Sequence, residues 1–452
     1  MRRAPIAAIL LAAAFISAPA LHAHEPKTGD AVTATPEGRR ADLRVFREKF
    51  LARDRSYSEA ARAEAETRTA ALESAADGVS QAYFELEIAR IVALADNGHT
   101  VAFPGPRSRR YDRVGVRLVP FGEEFYVLRV ESEHQDLLGA RLISIGGRPL
   151  AELRAIARTL VGGTPAWRDR NAGYFFESPQ QMRALDAIGA DAAYVFQTAD
   201  GRRIERSLAP EPADPDRPRA NSNRWLFPQM LTEEGGAWRA ALQAPAPWAF
   251  AEPGNFFRWR TVDGLDAIVI DLRENNDSED RKISDALAEF ERAIVENEPR
   301  NIVLDMRMNG GGDLNSTRNF MKSLPDRAPG RIFALTSPWT FSAAISSVGY
   351  LEQSAPDRVT IVGEMAGDRL NFFSEGDVVT LPNSRIEILN ATERHDYETG
   401  CRGYKDCHGP VVRNPISVPT LAPDIAAPWT IDAYLAGRDP AMEAVAAVLA
   451  EE

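Results

Sequence analysis

Ile302-Val303-Leu304-Asp305-Met306-Arg307-Met308-Asn309-Gly310-Gly311-Gly312-Asp313 reads as a buried strand over 302–306, a glycine loop, and a helix after Asp313. The same rhythm surrounds it. Residues 267–272 form an apolar run, and Ile283, Leu287, Phe290 and Ile294 mark one helical face. Runs at 332–335 and 359–362 are further strands, Ser342 opens a helix between them, and 442–449 suggests a closing helix. Strands alternating with helices from about Asn255 onward predict an α/β layered core.

Two stretches of that core carry chemical potential. Three successive glycines let backbone N–H groups approach a ligand closely. The run lacks the Gly-Lys-Ser/Thr of a Walker loop and the Gly-x-Gly-x-x-Gly of a dinucleotide site, so an oxyanion hole is the better use. The bland alternative is a tight strand-to-helix turn. Thr340-Phe341-Ser342-Ala343-Ala344 sets a serine at a strand-to-helix junction, where free amides favour developing negative charge. Ser342 is a candidate nucleophile on this reading and a plain N-cap on the other. The chain has 6 histidines. Two, His22 and His24, flank the N-terminal apolar run, which leaves His99, His134, His395 and His408 as candidate bases.

Upstream, Leu43, Phe46 and Phe50, then Val79, Tyr83 and Leu86, repeat at helical spacing and predict a helical unit ending at Asp96-Asn97-Gly98-His99-Thr100. Alternation at Val114, Val116 and Leu118, a strand over 125–130, and a hairpin signal at Asp200-Gly201 predict a β-rich unit. A Pro-rich connector with Trp225, Phe227, Trp238 and Trp248 follows, too aromatic for a free linker. There is no internal repeat and no low-complexity tract.

A chain of 452 residues has room for two or three domains. Its net charge of -12, with no basic cluster after the first few residues, argues against nucleic acid and anionic membrane surfaces as partners. Arg2 and Arg3 precede an apolar stretch over 4–20 that ends in Ala18-Pro19-Ala20, with Ala23 as a second cleavage point. This reads as a secretory signal, so the expected location is periplasmic or secreted with no membrane span after cleavage. An N-terminal anchor is the alternative, although the run is short for a spanning helix. The 2 cysteines, Cys401 and Cys407, predict a local disulfide, with a metal site involving nearby His395 and His408 as the sharper alternative.

These segments, in order, resemble the tail-specific (C-terminal-processing) protease family, peptidase family S41. Residues 303–312 are similar to its D-L-R-x-N-x-G-G segment, Thr340 to Ala344 to its T-x-S-A, and Val362-Gly363-Glu364 to its V-G-E. Residues 96–100 resemble the D-G-H-T of the tricorn-like and retinoid-binding-protein-like branch. Pro423-Asp424-Ile425 and Ala436-Gly437-Arg438-Asp439-Pro440 resemble that branch's C-terminal segments. The resemblance implies an α/β fold class: a ClpP/crotonase-like ββα catalytic domain with an N-terminal helical domain and a PDZ-like β domain. The expected boundaries are 1–23 signal peptide, 30–104 helical domain carrying His99, 105–210 PDZ-like domain, 211–254 connector and 255–452 catalytic domain. Residues 137–147 look like a divergent PDZ turn and strand, or alternatively a β unit that only packs on the core.

The function implied is an exported serine-type endopeptidase acting on peptides or unfolded proteins, with Ser342 as nucleophile, His99 as base, and Gly311, Gly312 and Ala343 as oxyanion donors. No cofactor and no metal are expected. The Ser–Lys branch carries a lysine soon after V-G-E, but here 365–370 reads Met-Ala-Gly-Asp-Arg-Leu, so the base falls to His99. Asn97-Gly98 departs from the tricorn pattern, which has serine before the histidine. Glu393 and Glu398 are candidates for an orienting glutamate. The alternative function is an inactive S41-like binding protein for peptides or hydrophobic ligands.

Overall fold

The computed structural model describes residues 34–213, 225–229 and 237–451, so the predicted signal segment and part of the connector lie outside the described residues. Three helices open the described chain: α1 (Pro36–Val45), α2 (Glu59–Ser74) and α3 (Gln81–Ala93). Each begins on a hydroxyl cap, with Thr35, Ser58 and Ser80 accepting from the amides of Gly38, Ala61 and Tyr83. Such caps contribute about 1 kcal/mol each. Leu43, Phe46 and Phe50 are buried as their spacing predicts, and the Phe46 and Phe50 rings stack at 5.0 Å.

After β1 (Val101–Ala102) and α4 (Pro104–Arg110) comes an antiparallel sheet. Its strands are β2 (Val116–Phe121), β3 (Glu124–Glu131), β4 (Arg141–Ile145), β5 (Arg148–Pro149), β6 (Ala193–Gln197), β7 (Arg203–Ser207) and β8 (Trp238–Ala240). They run in the order β2-β3-β4-β6-β7, with β5 on β4 and β8 on β3. Helices α5 (Leu150–Ala157), α6 (Pro165–Phe176) and α7 (Pro179–Ala184) sit between β5 and β6. Phe125, Val127 and Leu142 of this sheet share one core with Phe84, Leu86 and Ile88 of α3, so the helical and β units are fused by apolar burial. From the connector, Trp225 and Phe227 are buried against Phe250 and Trp429.

The C-terminal half holds β9 (Phe257–Val262), β10 (Ala267–Leu272), β11 (Asn301–Asp305), β12 (Ile332–Thr336) and β13 (Val359–Gly363). Short strands follow: β14 (Asn371–Ser374), β15 (Val378–Thr380), β16 (Glu387–Leu389), β17 (Glu393–Asp396) and β18 (Ile425–Ala426). One sheet runs β18-β13-β12-β11-β10-β9, parallel throughout except at β9. The crossovers α8 (Ile283–Asn297), α9 (Leu314–Ser323) and α10 (Ala343–Ser354) bury one face through Ile268, Ile270, Leu304 and Ala334. The opposite face, with Val269, Val303 and Phe333, meets the last helix. The small α11 (Gly409–Arg413) and α12 (Ile431–Leu435) precede that helix, α13 (Pro440–Ala450). Burial on both faces explains why these strands read as continuous apolar runs.

Two features were not legible in the apolar pattern. The antiparallel β14–β17 and β15–β16 pairs lie in a stretch without strong periodicity. The latter pair crosses back to the N-terminal half, where Val101 of β1 pairs with Leu389 of β16 and Ile386 and Ile388 enter the N-terminal core. That return brings the loop holding His99 against the C-terminal half.

Candidate active site

The strand β11 ends in Asp305, and the chain after it is tied down by charge. Arg307 donates to Asp305 Oδ1 and Oδ2 at 2.9 and 2.6 Å, and to Asp439 Oδ1 and Oδ2 at 2.7 and 2.9 Å. Burial alone would raise the Asp305 carboxyl, but the Arg307 charge and hydrogen bonds outweigh it and hold it below the usual range. The Asp-x-Arg and the distant Arg-Asp-Pro are thus two halves of one buried clamp.

The turn after β12 is fastened to that loop. Thr340 Oγ1 donates to Met306 O at 2.9 Å and accepts the Ser337 N–H at 3.0 Å. The Phe341 N–H donates to Asn309 O at 3.0 Å. Asn309 Nδ2 donates to Leu272 O and to Asn275 Oδ1, both at 2.9 Å. Asn275 Nδ2 reaches Ala343 O at 3.1 Å and Ser347 Oγ at 2.9 Å. A buried amide pair therefore couples the glycine loop to the start of α10. Asn275 drew no attention in the sequence, because an asparagine after a strand reads as a loop residue.

Ser342 stands at the head of α10 with φ 56° and ψ −127°, a conformation that costs a non-glycine residue about 1–3 kcal/mol. Its hydroxyl does not cap the helix, so the simple N-cap reading does not describe its side chain. Gly311, at φ 104°, packs directly on it: a Cβ added there would lie 2.6 Å from Ser342 Cβ and 3.0 Å from the Ala343 nitrogen. The structure thus brings Ser342, Ala343 and the glycine loop together. The Gly311 N–H is already engaged, donating to Asn309 Oδ1 at 2.9 Å. The Ala343 N–H, in the first turn of α10, has no intrahelical acceptor.

His99 arrives from the N-terminal half. The Asn97 amide docks its loop onto β14, donating to Phe373 O at 2.9 Å and accepting the Phe373 N–H at 3.0 Å. The imidazole is buried, sandwiched between Phe341 at 4.5 Å and Phe372 at 4.9 Å. Its Nδ1 faces Asp368 Oδ2 at 3.1 Å, also buried. Its Nε2 is buried without a hydrogen-bond partner, so no bond to the Ser342 hydroxyl is formed in this structure. Contact between the two sides runs through Phe341, the residue before Ser342, whose other neighbour is Trp167 at 3.9 Å.

Asp368 is the acidic partner that sequence reasoning missed. It sits within the very stretch read only for its missing lysine. Gly98 explains the departure from serine at that position. A Cβ there would lie 2.9 Å from Phe341 Cε2 and 3.1 Å from Asp368 Oδ2. Neither glutamate named from sequence touches His99. Glu393 accepts from His408 Nδ1 at 2.6 Å, and Glu398 donates its backbone N–H to Asp396 at 3.0 Å. Cys401 and Cys407 are joined as a disulfide. His134 lies beside Glu133 in the β unit.

Next to the serine turn, Phe121, Phe250, Trp339 and Trp429 wall a cavity of about 90 Å³, with Arg170 and Glu364 on its lining. Burial pushes the Glu364 carboxyl up to about 7.

No family model matches the chain, and no curated protein matches it in sequence. Solved structures do. Mature CPAF complexed with lactacystin superposes with a TM-score of 0.57 at 12% identity, covering 92% of this chain and 98% of that one. A CPAF point mutant superposes at 0.59 with 10% identity, over 92% and 96%. The fold is that of CPAF. The photosystem II D1 C-terminal processing protease also aligns, at a TM-score of 0.36 and 14% identity over 90% and 98%. A putative S41 protease from Bacteroides fragilis aligns at a TM-score of 0.33 and 12% identity, over 75% of this chain and 83% of that one. The architecture is α/β. No helix among the described residues is long and apolar enough to cross a membrane.

Proposed function

We propose that the protein is an exported serine-type endopeptidase of the S41 type, in which Ser342, His99 and Asp368 act as nucleophile, base and orienting acid. The observation that carries this is the state of His99. One ring nitrogen is held by a buried carboxylate, the other is buried and free, and the ring stacks on the residue beside a backbone-strained serine. A buried imidazole nitrogen without a partner is costly unless something uses it. With the proton on Nδ1 directed at Asp368, the lone pair lies on Nε2, the tautomer a general base requires.

In the proposed reaction Ser342 Oγ bonds to the carbonyl carbon of a peptide, and its proton passes to His99 Nε2. The oxyanion is met by the amides of Gly312 and Ala343, since the Gly311 amide is already spent on Asn309. His99 hands the proton to the departing amine, and water releases the acyl group by the reverse path. Asp368 holds the ring and its tautomer throughout. The aromatic cavity beside Trp339 suits an apolar side chain of the substrate.

The test is cleavage of a mixed unstructured-peptide library by the wild type, Ser342→Ala, His99→Ala and Asp368→Asn. Cleavage by the wild type, lost in the first two and strongly reduced in the third, is expected. A second reading, an inactive ligand-binding protein of the same fold, has one observation in its favour: the Ser342 hydroxyl is not on His99 Nε2. It predicts no cleavage by any of the four, all folded.

A further inference from the structure

Behind His99 lies a second cluster, built from residues that the serine chemistry does not use. Glu375, His395 and His408 each offer one donor atom, and the three atoms lie within 4.8 Å of one another. His395 is on β17, Glu375 follows β14, and His408 follows the disulfide cysteine Cys407. His395 Nε2 and Glu375 Oε1 are already 3.2 Å apart.

The orientation of the two rings is the telling feature. His395 holds its Nδ1 against the Tyr397 hydroxyl at 2.9 Å, and His408 holds its Nδ1 against Glu393 Oε2 at 2.6 Å. A histidine that ligates a metal through one nitrogen almost always donates the other N–H to an oxygen in this way. With Nδ1 donating in each ring, the lone pair of each falls on Nε2. A plain histidine–carboxylate hydrogen bond would account for His395 and Glu375, but it leaves the parallel arrangement at His408 unused.

We propose that Glu375, His395 and His408 form a site for a divalent transition-metal ion of the zinc class, with water completing its shell. Two imidazole nitrogens and one carboxylate match such an ion, whereas calcium and magnesium favour oxygen-only sets. Ligand atoms around zinc stand about 3.3 Å apart, as bond lengths near 2.0–2.1 Å in a tetrahedron require. The three atoms, within 4.8 Å of one another, would therefore draw together on binding. Phe372 stacks on His395 at 4.9 Å and on His99 at 4.9 Å, so the ion would brace the strand that backs the His99 ring. The site stands independently of the peptidase reading, because its test is the binding of metal itself.

That test is a titration of untagged, chelator-stripped full-length protein with Co²⁺, in a background where His22→Ala and His24→Ala remove the N-terminal histidines. The expected result is a visible d–d absorption band that saturates at one ion per chain and is displaced by Zn²⁺. His408→Ala should abolish the band with circular dichroism unchanged. Glu393→Gln, on a part-buried residue outside the three ligands, should weaken affinity about 10–100-fold, an effect a purely structural glutamate would not have. His134→Ala should change nothing. A folded protein with no saturable band, equal binding by His408→Ala or by Glu393→Gln, or loss of binding in His134→Ala would each overturn the proposal. If His408→Ala does not fold, the Glu393→Gln affinity decides.

Discussion

Ser342 lies between two consecutive elements, the strand β12 and the helix α10, and its supports come from the neighbouring loops after β10 and β11. His99 hangs from a loop whose carboxylate partner is 269 residues away in the chain. The serine side is fixed by hydrogen bonds from Thr340 to Met306, from Phe341 to Asn309, and between Asn309 and Asn275. The histidine side is fixed by ring stacking and by the Asn97 clasp on β14. Hydrogen-bond networks in a crossover loop fix geometry within the local sequence. Stacked rings fix it only when distant segments have already folded together. The comparison teaches that the rigid half of this site is local and the adjustable half is not. A substrate that pushes Phe341 aside would change the approach to His99 Nε2 without disturbing the glycine loop.

Substitutions can break this contrast. The largest effect is expected at the reacting groups. His99→Ala should cut peptide cleavage by about 10⁴–10⁶, as for other members of such triads, with the fold retained by circular dichroism. Asp368→Asn should follow at about 10⁴, because the amide favours the wrong imidazole tautomer. An equal rate in Asp368→Asn and wild type would detach Asp368 from the site. Gly311→Ala tests the serine side: a methyl 2.6 Å from Ser342 Cβ should lower activity by about 10²–10³. Its positive φ adds a stability loss of about 1–3 kcal/mol, seen as a lower urea midpoint.

The smallest effect is a pH dependence that belongs to the cavity wall. Glu364 has a folded pKa of about 7, above its ordinary 4.5. The folded state therefore holds an extra proton between those values, and stability falls as pH rises through that window. The loss reaches up to about 3 kcal/mol, less to the extent that water enters the cavity. Glu364→Gln should flatten this slope, leaving stability near pH 5 little changed and raising it near pH 8. Urea unfolding at the two pH values checks the sign.

The same contrast explains what was legible in the sequence. The strands of the parallel sheet were plain: a run expected over 267–272 is Ala267–Leu272, and one expected over 359–362 is Val359–Gly363. Burial on both faces leaves an uninterrupted apolar signal. Ser342 and the glycine loop were visible because a strand-to-helix junction has local markers. Asp368 was not. Nothing in Met365-Ala366-Gly367-Asp368-Arg369 distinguishes an orienting acid from a solvated loop aspartate until the β15–β16 strands fold back on β1. The antiparallel edge β9 was likewise obscured, since Phe257–Val262 carries two arginines among its apolar residues.

The most direct test of the account is covalent labelling by a serine-directed fluorophosphonate, located by peptide mass spectrometry, in the wild type, His99→Ala and Asp368→Asn. The account predicts a single label on Ser342 in the wild type, formed far more slowly in both variants. A folded wild type that takes no label at Ser342, or variants that label as fast as it does, would contradict the account.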